Sequence, residues 1–120
     1  VKKKINIQNS KILIAGFTFK NDCSDFRNTK VLDIYKYLKK KVKLVDIYDP
    51  LISKNEILKK HKIKLIDKLK AEFYDGIIIA VNHKIFKNKG IYFFKKSTKK
   101  NSFIYDVKNI FEKNKSDLRL

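Results

Sequence analysis

Apolar residues fall in two rhythms along the first half of the chain. Lys11 to Ala15 (KILIA) has the length and β-branched content of a buried strand. Lys30 to Lys40 instead spaces Val31, Leu32, Ile34, Tyr35 and Leu38 along one broad helical face. Between them runs a polar stretch, Gly16 to Arg27 (GFTFKNDCSDFR), in which Gly16 lets the chain turn off the strand and Asn28 stands as the expected N-cap of the helix. Val42 to Tyr48 (VKLVDIY) reads as a second strand stopped by Asp49-Pro50, because proline cannot continue a ladder and restricts the residue before it. Ser53 with Glu56 fits a capping box for a short helix ending near Lys60. Lys62 to Ile66 reads as a third strand and Asp67 to Phe73 as a brief helix. Asp75-Gly76 turns into Ile77 to Val81, the clearest strand, with Asn82 and His83 just past its end. Ile85 to Lys100 is amphipathic and broken at Gly90, which predicts a helical turn and then a helix over Ile91 to Lys96, whose aromatic residues are expected in the core. Ser102 to Val107 is a fifth strand. Val1 to Ser10 reads as a lead-in or linker and residues 11–120 as a single domain, with the tail from Phe111 ambiguous.

Alternating strands and helices predict an α/β fold, a Rossmann-like three-layer domain with a roughly five-stranded parallel sheet. Strand order 3-2-1-4-5 places the switch point between strands one and four, and open α/β sheets bind ligands outside the carboxyl ends of strands at such a point. Three polar groups are then expected on one rim: the loop from Gly16 to Arg27, Asn82 with His83, and Asp106 to Lys108.

Composition narrows the possibilities. A chain of 120 residues, 43% hydrophobic, supports one modest core. No apolar stretch is long enough to be read as a membrane span and no signal-peptide pattern opens the chain, so the expectation is a cytoplasmic protein without membrane contact. One cysteine, Cys23, cannot form an internal disulfide, and no Cys/His cluster has metal-ligand spacing, so no metal is expected. The net charge of +18 by itself points to nucleic acid or another polyanion. However, 28 of the 30 basic residues are Lys, spread along the chain, whereas base reading and bidentate phosphate contacts favour Arg. Abundant Lys, Ile, Asn and Phe with scarce Gly, Pro and Arg is what an adenine- and thymine-rich genome produces, and that reading is preferred, so nucleic acid is not the expected partner. A start at Val1 without any Met leads to the expectation that the sequence is a piece of something larger.

The loop itself carries candidate chemistry. GFTFKN has one glycine where G-x-G-x-x-G needs three, which excludes a fingerprint dinucleotide site, and there is no P-loop pattern. Lys20 is a point charge for a phosphate oxygen, and Arg27 offers a planar fork for phosphate or carboxylate that Asp25 is placed to orient. Against this stands the plainer reading of solvated loop charges. Cys23 is either a nucleophile or, preferably, a small loop residue without a chemical role, and His83 either an acid–base group or, preferably, a hydrogen-bonded turn residue.

GFTFKNDCSDFRNTKVLDI, then VDIYDP, DGIIIAVNHKIF and FIYDVKNIF, resembles in order and spacing the C-terminal, UDP-binding domain of the UDP-glucose/GDP-mannose dehydrogenase family over about Lys11 to Phe111. The form TFKNDCSDFRNTK is most similar to the branch that oxidises UDP-N-acetylhexosamines for bacterial surface polysaccharides, of the Vi-antigen type. The resemblance implies an NAD-dependent oxidoreductase that converts C6 of a UDP-sugar to a carboxylate through a thioester on a cysteine. It also implies an N-terminal NAD-binding domain and a central dimerising domain, hence a homo-oligomer at full length. By position, Phe19 and Lys20 match substrate-contacting residues, Arg27 an arginine that reaches the NAD, and Lys108 a place where many members have a substrate-contacting Arg. Asp25, His83 and Asp106 are supporting residues. The catalytic cysteine and the NAD site belong to the other domains, so Cys23 is not catalytic, NAD is held mainly elsewhere, and the isolated chain is expected to bind UDP weakly and to oxidise nothing. The alternative is a stand-alone basic module that binds nucleic acid or another polyanion.

Overall fold

The structure, a computed structural model, describes residues 7–18, 20, 22–27, 29–106 and 118–119. Five parallel strands form one sheet in the order β2-β1-β3-β4-β5: β1 Lys11–Ala15, β2 Leu44–Tyr48, β3 Tyr74–Ile79, β4 Thr98–Asp106 and the short β5 Leu118–Arg119. Because side chains alternate along a strand, β1 sends Leu13 and Ala15 to one face and Ile14 to the other. Leu13, Ala15, Tyr48, Ile77, Ile79 and Ile104 pack under Phe86 of α3 (Lys84–Lys89) and Phe94 of α4 (Ile91–Lys95). Ile14, Ile47 and Ile78 pack under α1 (Val31–Lys41) and α2 (Lys54–His61), through Val31, Leu32, Tyr35, Leu38 and Ile57. Both faces of the sheet are thus covered, and β1 (KILIA) and the GIII end of β3 are near-continuous apolar runs, whereas β4 (TKKNSFIYD) turns apolar only in its second half. No helix among the described residues is long and apolar enough to cross a membrane.

Several elements depart from the sequence reading. Residues 62–66 form no strand. Ile63 and Leu65 are buried with Lys64 exposed between them, so the alternation is real, but only the Ile66 amide bonds to the β2 edge, at Ile47 O, 3.0 Å. Residues 67–73 form no helix: Glu72 has a φ of 48°, and the Glu72 and Phe73 amides donate instead to Lys96 O and Ser97 O. Asp75-Gly76 is not a turn but part of β3, and the end of the Phe103 ring lies across Gly76, 2.5 Å from where a Cβ would stand. Asn28, the expected N-cap, lies outside the described residues. The cap position is Lys30, without a side-chain bond, and Thr29 Oγ1 accepts from Val31 N at 3.1 Å. Ser53 does cap α2, accepting from Glu56 N at 3.3 Å. Tyr92 is 74% exposed rather than in the core, while Phe94 is fully buried.

The position of Gly16 follows from the close approach of two strand ends. Its φ is 96°, and a Cβ there would lie 2.7 Å from Val81 Cβ. Only glycine lets the loop leave β1 at that angle while pressed against the chain emerging from β3.

Candidate nucleotide-sugar site

Three chain segments meet at the carboxyl ends of β1, β2 and β3, and one buried carboxylate joins them. Asp49, directly after β2, is 3% exposed. Its Oδ2 accepts from the Phe17 amide at 2.7 Å and from His83 Nε2 at 2.9 Å, and its Oδ1 accepts from the Leu51 amide at 3.0 Å. A buried carboxylate is tolerated when its oxygens are filled in this way. The Pro50 that ends β2 therefore follows an acid that ties β2 to the two strands on its far side.

His83 is fully buried at the N-cap position of α3. Its Nδ1 lies 2.9 Å from the Asp22 amide, which can only donate, so Nδ1 is the unprotonated nitrogen. Nε2 then carries the proton and is shared between Asp49 Oδ2 and Thr18 Oγ1, the latter at 3.3 Å. The hydrogen-bond network thus assigns a neutral ring with a single tautomer. A ring committed on both nitrogens to framework groups is built to hold the loop, as the turn-residue reading expects, and has no nitrogen left for proton transfer.

The loop between Gly16 and Lys30 is pinned at close intervals. Thr18 Oγ1 donates to Lys20 O at 2.6 Å, and Cys23 Sγ donates to the same carbonyl at 3.2 Å. Asp22, at a φ of 55°, accepts from the Lys84 amide through Oδ1 at 2.6 Å, which satisfies one of the open donors at the start of α3. Thr29 Oγ1 donates to Thr18 O at 3.4 Å. Cys23 is half-buried, its thiol turned back onto loop carbonyls. Lys20 itself is exposed.

Farther along, Asp25 holds the Arg27 guanidinium in a two-point contact, Nε to Oδ1 and Nη2 to Oδ2, both 3.0 Å, and accepts from the Arg27 amide at 2.8 Å. These hydrogen bonds from Arg27 hold the Asp25 carboxyl down at about 2, and the carboxylate in turn raises the guanidinium. The guanidinium side chain is 74% exposed, so the pair orients Arg27 more than it stabilises the fold. Arg27 lies on a groove of about 610 Å³ between residues 24–27 and α2, whose other cations are Lys59 and Lys60 and which Glu56 also lines. His61, beyond them, packs edge-on against Phe17 and Phe26 and has its pKa lowered by partial burial and by the charges of Lys60 and Lys36.

The structure brings Lys20, Asp25, Arg27 and His83 onto one loop-and-rim assembly. Asp106 ends β4 on the same rim, in register with Ile79, and is fully buried. Phe19 and Lys108 lie outside the described residues. Two residues that the sequence reading left without a site role, Asp49 and Asp22, tie the assembly together. The DP dipeptide at a strand end was the available signal for Asp49; Asp22 carries none, being one polar loop residue among several.

A family model for the UDP-glucose/GDP-mannose dehydrogenase family, UDP binding domain, matches residues 13–113. Over all 120 residues the chain is 39% identical to UDP-N-acetyl-D-glucosamine 6-dehydrogenase of Salmonella typhi and 38% identical to the Pseudomonas aeruginosa protein of the same name. It spans 28% of the length of each. Among solved structures, it resembles the UDP-D-ManNAc dehydrogenase of Pyrococcus horikoshii with a TM-score of 0.73 and 27% identity, covering 91% of this chain and 24% of that one. It also resembles the UDP-N-acetyl-mannosamine dehydrogenase Cap5O of S. aureus, with a TM-score of 0.67 and 25% identity over 92% of this chain and 26% of that one. A doubly covered parallel sheet and a family-model match over most of the chain agree: this chain belongs to the UDP-glucose/GDP-mannose dehydrogenase family, as its UDP binding domain.

Proposed function

We propose that this chain forms the nucleotide-sugar wall of an NAD-dependent UDP-sugar 6-dehydrogenase that oxidises a UDP-N-acetylhexosamine to its uronic acid for surface polysaccharide. Residues 11–120 act as one binding unit. The observation that carries the reading is the exposed ammonium of Lys20, standing on a loop pinned beside the β1/β3 switch point, where parallel sheets take ligands. Lys20 binds the diphosphate as a point charge, with Phe19 and Lys108 as further substrate contacts and Asp25, His83 and Asp106 in support. The names of the Salmonella typhi and Pseudomonas aeruginosa relatives support the UDP-N-acetylhexosamine class.

The residues present do not fit a resident dinucleotide. The one glycine at the end of β1 is used for contact with Val81, not for approach to a pyrophosphate, and α1 opens fifteen residues beyond it. NAD is therefore assigned to another part of the whole enzyme, which acts as a homo-oligomer in the cytoplasm. Arg27, held flat by Asp25, reaches that cofactor from this side of the cleft. No catalytic residue is assigned to this chain, and Cys23 serves the loop.

The test is calorimetry of the purified chain with UDP. Weak binding is expected, together with a loss of about tenfold or more in Lys20→Ala, the factor for one charge-assisted hydrogen bond. No reduction of NAD in the presence of a UDP-sugar is expected. A salt-dependent shift of labelled DNA without any response to UDP would replace this reading with the polyanion-binding one.

A further inference from the structure

The exposed end of Lys20 is flexible in principle, with four rotatable bonds, yet its backbone is held more firmly than a surface loop requires. The hold runs inward through a continuous chain of hydrogen bonds. Lys20 O accepts from Thr18 Oγ1, Thr18 Oγ1 accepts from His83 Nε2, and His83 Nε2 also donates to Asp49 Oδ2. Thr18 is 2% exposed and His83 is fully buried, so the two inner links, Thr18 to His83 and His83 to Asp49, are sheltered from competing water, while the Lys20 carbonyl at the outer end is part-buried. On the other side of Lys20, His83 Nδ1 takes the Asp22 amide and Asp22 Oδ1 takes the Lys84 amide. The same ring therefore grips the chain two residues before and two residues after Lys20. Asp22 is kept at a positive φ, which a non-glycine residue adopts at a cost. A loop that needed only to connect β1 to α1 would need neither the strain nor the buried imidazole.

We propose that Thr18 and His83 are positioning residues for Lys20, fixing its backbone so that the ammonium is preorganised over the diphosphate site. The inference rests on the reading of Lys20 as a UDP-binding residue. Each link has a specific chemical requirement. Thr18 must accept from the imidazole and donate to the Lys20 carbonyl at once, which a hydroxyl does and a methyl cannot. His83 must be neutral with its proton on Nε2, since the Asp22 amide claims Nδ1. Preorganisation of this kind adds to affinity by reducing the ordering cost of binding and leaves the contact itself unchanged.

The experiment is a UDP titration of the 120-residue chain followed by amide NMR, comparing the parent with Thr18→Val, Thr18→Ser, Lys20→Ala and the Thr18→Val/Lys20→Ala pair. Thr18→Val is expected to weaken UDP about five- to tenfold, the factor for one neutral hydrogen bond, while Thr18→Ser retains parental affinity. In the Lys20→Ala background the Thr18→Val change is expected to have no further effect, because Thr18 acts through Lys20. If Lys20→Ala weakens UDP but Thr18→Val does not, or if the two losses simply multiply, the positioning role is overturned and the reading of Lys20 stands. If Lys20→Ala leaves UDP binding unchanged, the reading of Lys20 itself is overturned. A second measurement needs neither ligand nor variant: the imidazole ¹⁵N spectrum of the parent chain at neutral pH should show His83 protonated on Nε2 alone. The other tautomer, or a doubly protonated ring, would break the chain at its second link and overturn the proposal.

Discussion

Removing the acceptor at Asp49 gives a graded test of the rim. In Asp49→Ala, the Phe17 amide and His83 Nε2 lose a shared buried acceptor, and the half-buried Leu51 amide loses its own. Two buried donors left without that partner cost about 1–3 kcal/mol each. Water can reach the Leu51 amide, and His83 retains Thr18 Oγ1 at 3.3 Å, so the expected total is that of the two buried donors, about 2–6 kcal/mol. Set against a stability of about 5–15 kcal/mol for an ordinary domain, this brings the chain close to unfolding. Asp49→Asn should be much milder. Its amide can turn so that the remaining oxygen faces Phe17 and His83 and the new NH₂ faces the Leu51 amide. One bond and the charge assistance of two are lost, about 1–3 kcal/mol. Urea unfolding followed by circular dichroism measures both, as a shift in midpoint at constant slope. An Asp49→Ala chain within about 0.5 kcal/mol of the parent, the range of ordinary surface changes, would refute the reasoning. So would equal losses in the Ala and Asn variants, since the ranking rests on counting acceptors.

Gly16→Ala combines a φ of 96° with a Cβ 2.7 Å from Val81 Cβ, and should destabilise by about 2–4 kcal/mol in the same urea assay. Val81→Ala should not rescue it, because the nearest atom is the Cβ that alanine retains. Asp25 should titrate at about 2 by side-chain carboxyl NMR and move up to about 3.9 in Arg27→Ala. The sign of its linkage follows from this depression: the pair's small contribution is present above the unfolded carboxyl value and is lost as pH falls through about 2. His61, with its pKa lowered by partial burial and neighbouring lysines, adds a second acid-side loss. The unfolded chain takes up this proton first, so stability conferred above about 6.5 declines as pH falls below it, and His61→Gln should flatten that part of a melting-temperature profile.

What could be read from the sequence was what local chemistry decides. KILIA forms β1 with the expected bounds, the helix beginning near Lys30 runs over Val31–Lys41, and Ser53 caps α2. The helix break at Gly90 also separates α3 from α4 as the pattern required. The misreadings lie where distant contacts decide. Residues 62–66 alternate like a strand but run past the edge of β2 with one ladder bond, and the Gly76 taken for a turn is a strand position made narrow by Phe103. In the site, Asp25 and Arg27 are two residues apart, and their pairing was visible in the spacing. Asp49 meets Phe17 and His83 across 32 and 34 residues, and Asp22 meets His83 and Lys84 across 61 and 62. Such bonds leave no periodic trace, because topology rather than spacing brings their partners together. Asp46 is a comparable case: in the middle of an apolar strand it looks misplaced, yet it accepts from the buried Tyr74 hydroxyl at 2.6 Å. Burial first, and then that carboxylate, push the phenol's pKa well above its ordinary value.

The central claim is that UDP binds at the β1/β3 rim through Lys20. Amide chemical-shift mapping of the chain with saturating UDP tests it most directly. The account predicts that the largest shifts fall on Thr18, Lys20 and Asp22 to Asp25 and on Val81 to Lys84, and that they collapse in Lys20→Ala. Shifts confined to the far ends of the strands around Lys11, Asp75 and Lys99, or a spectrum indifferent to UDP, would contradict it.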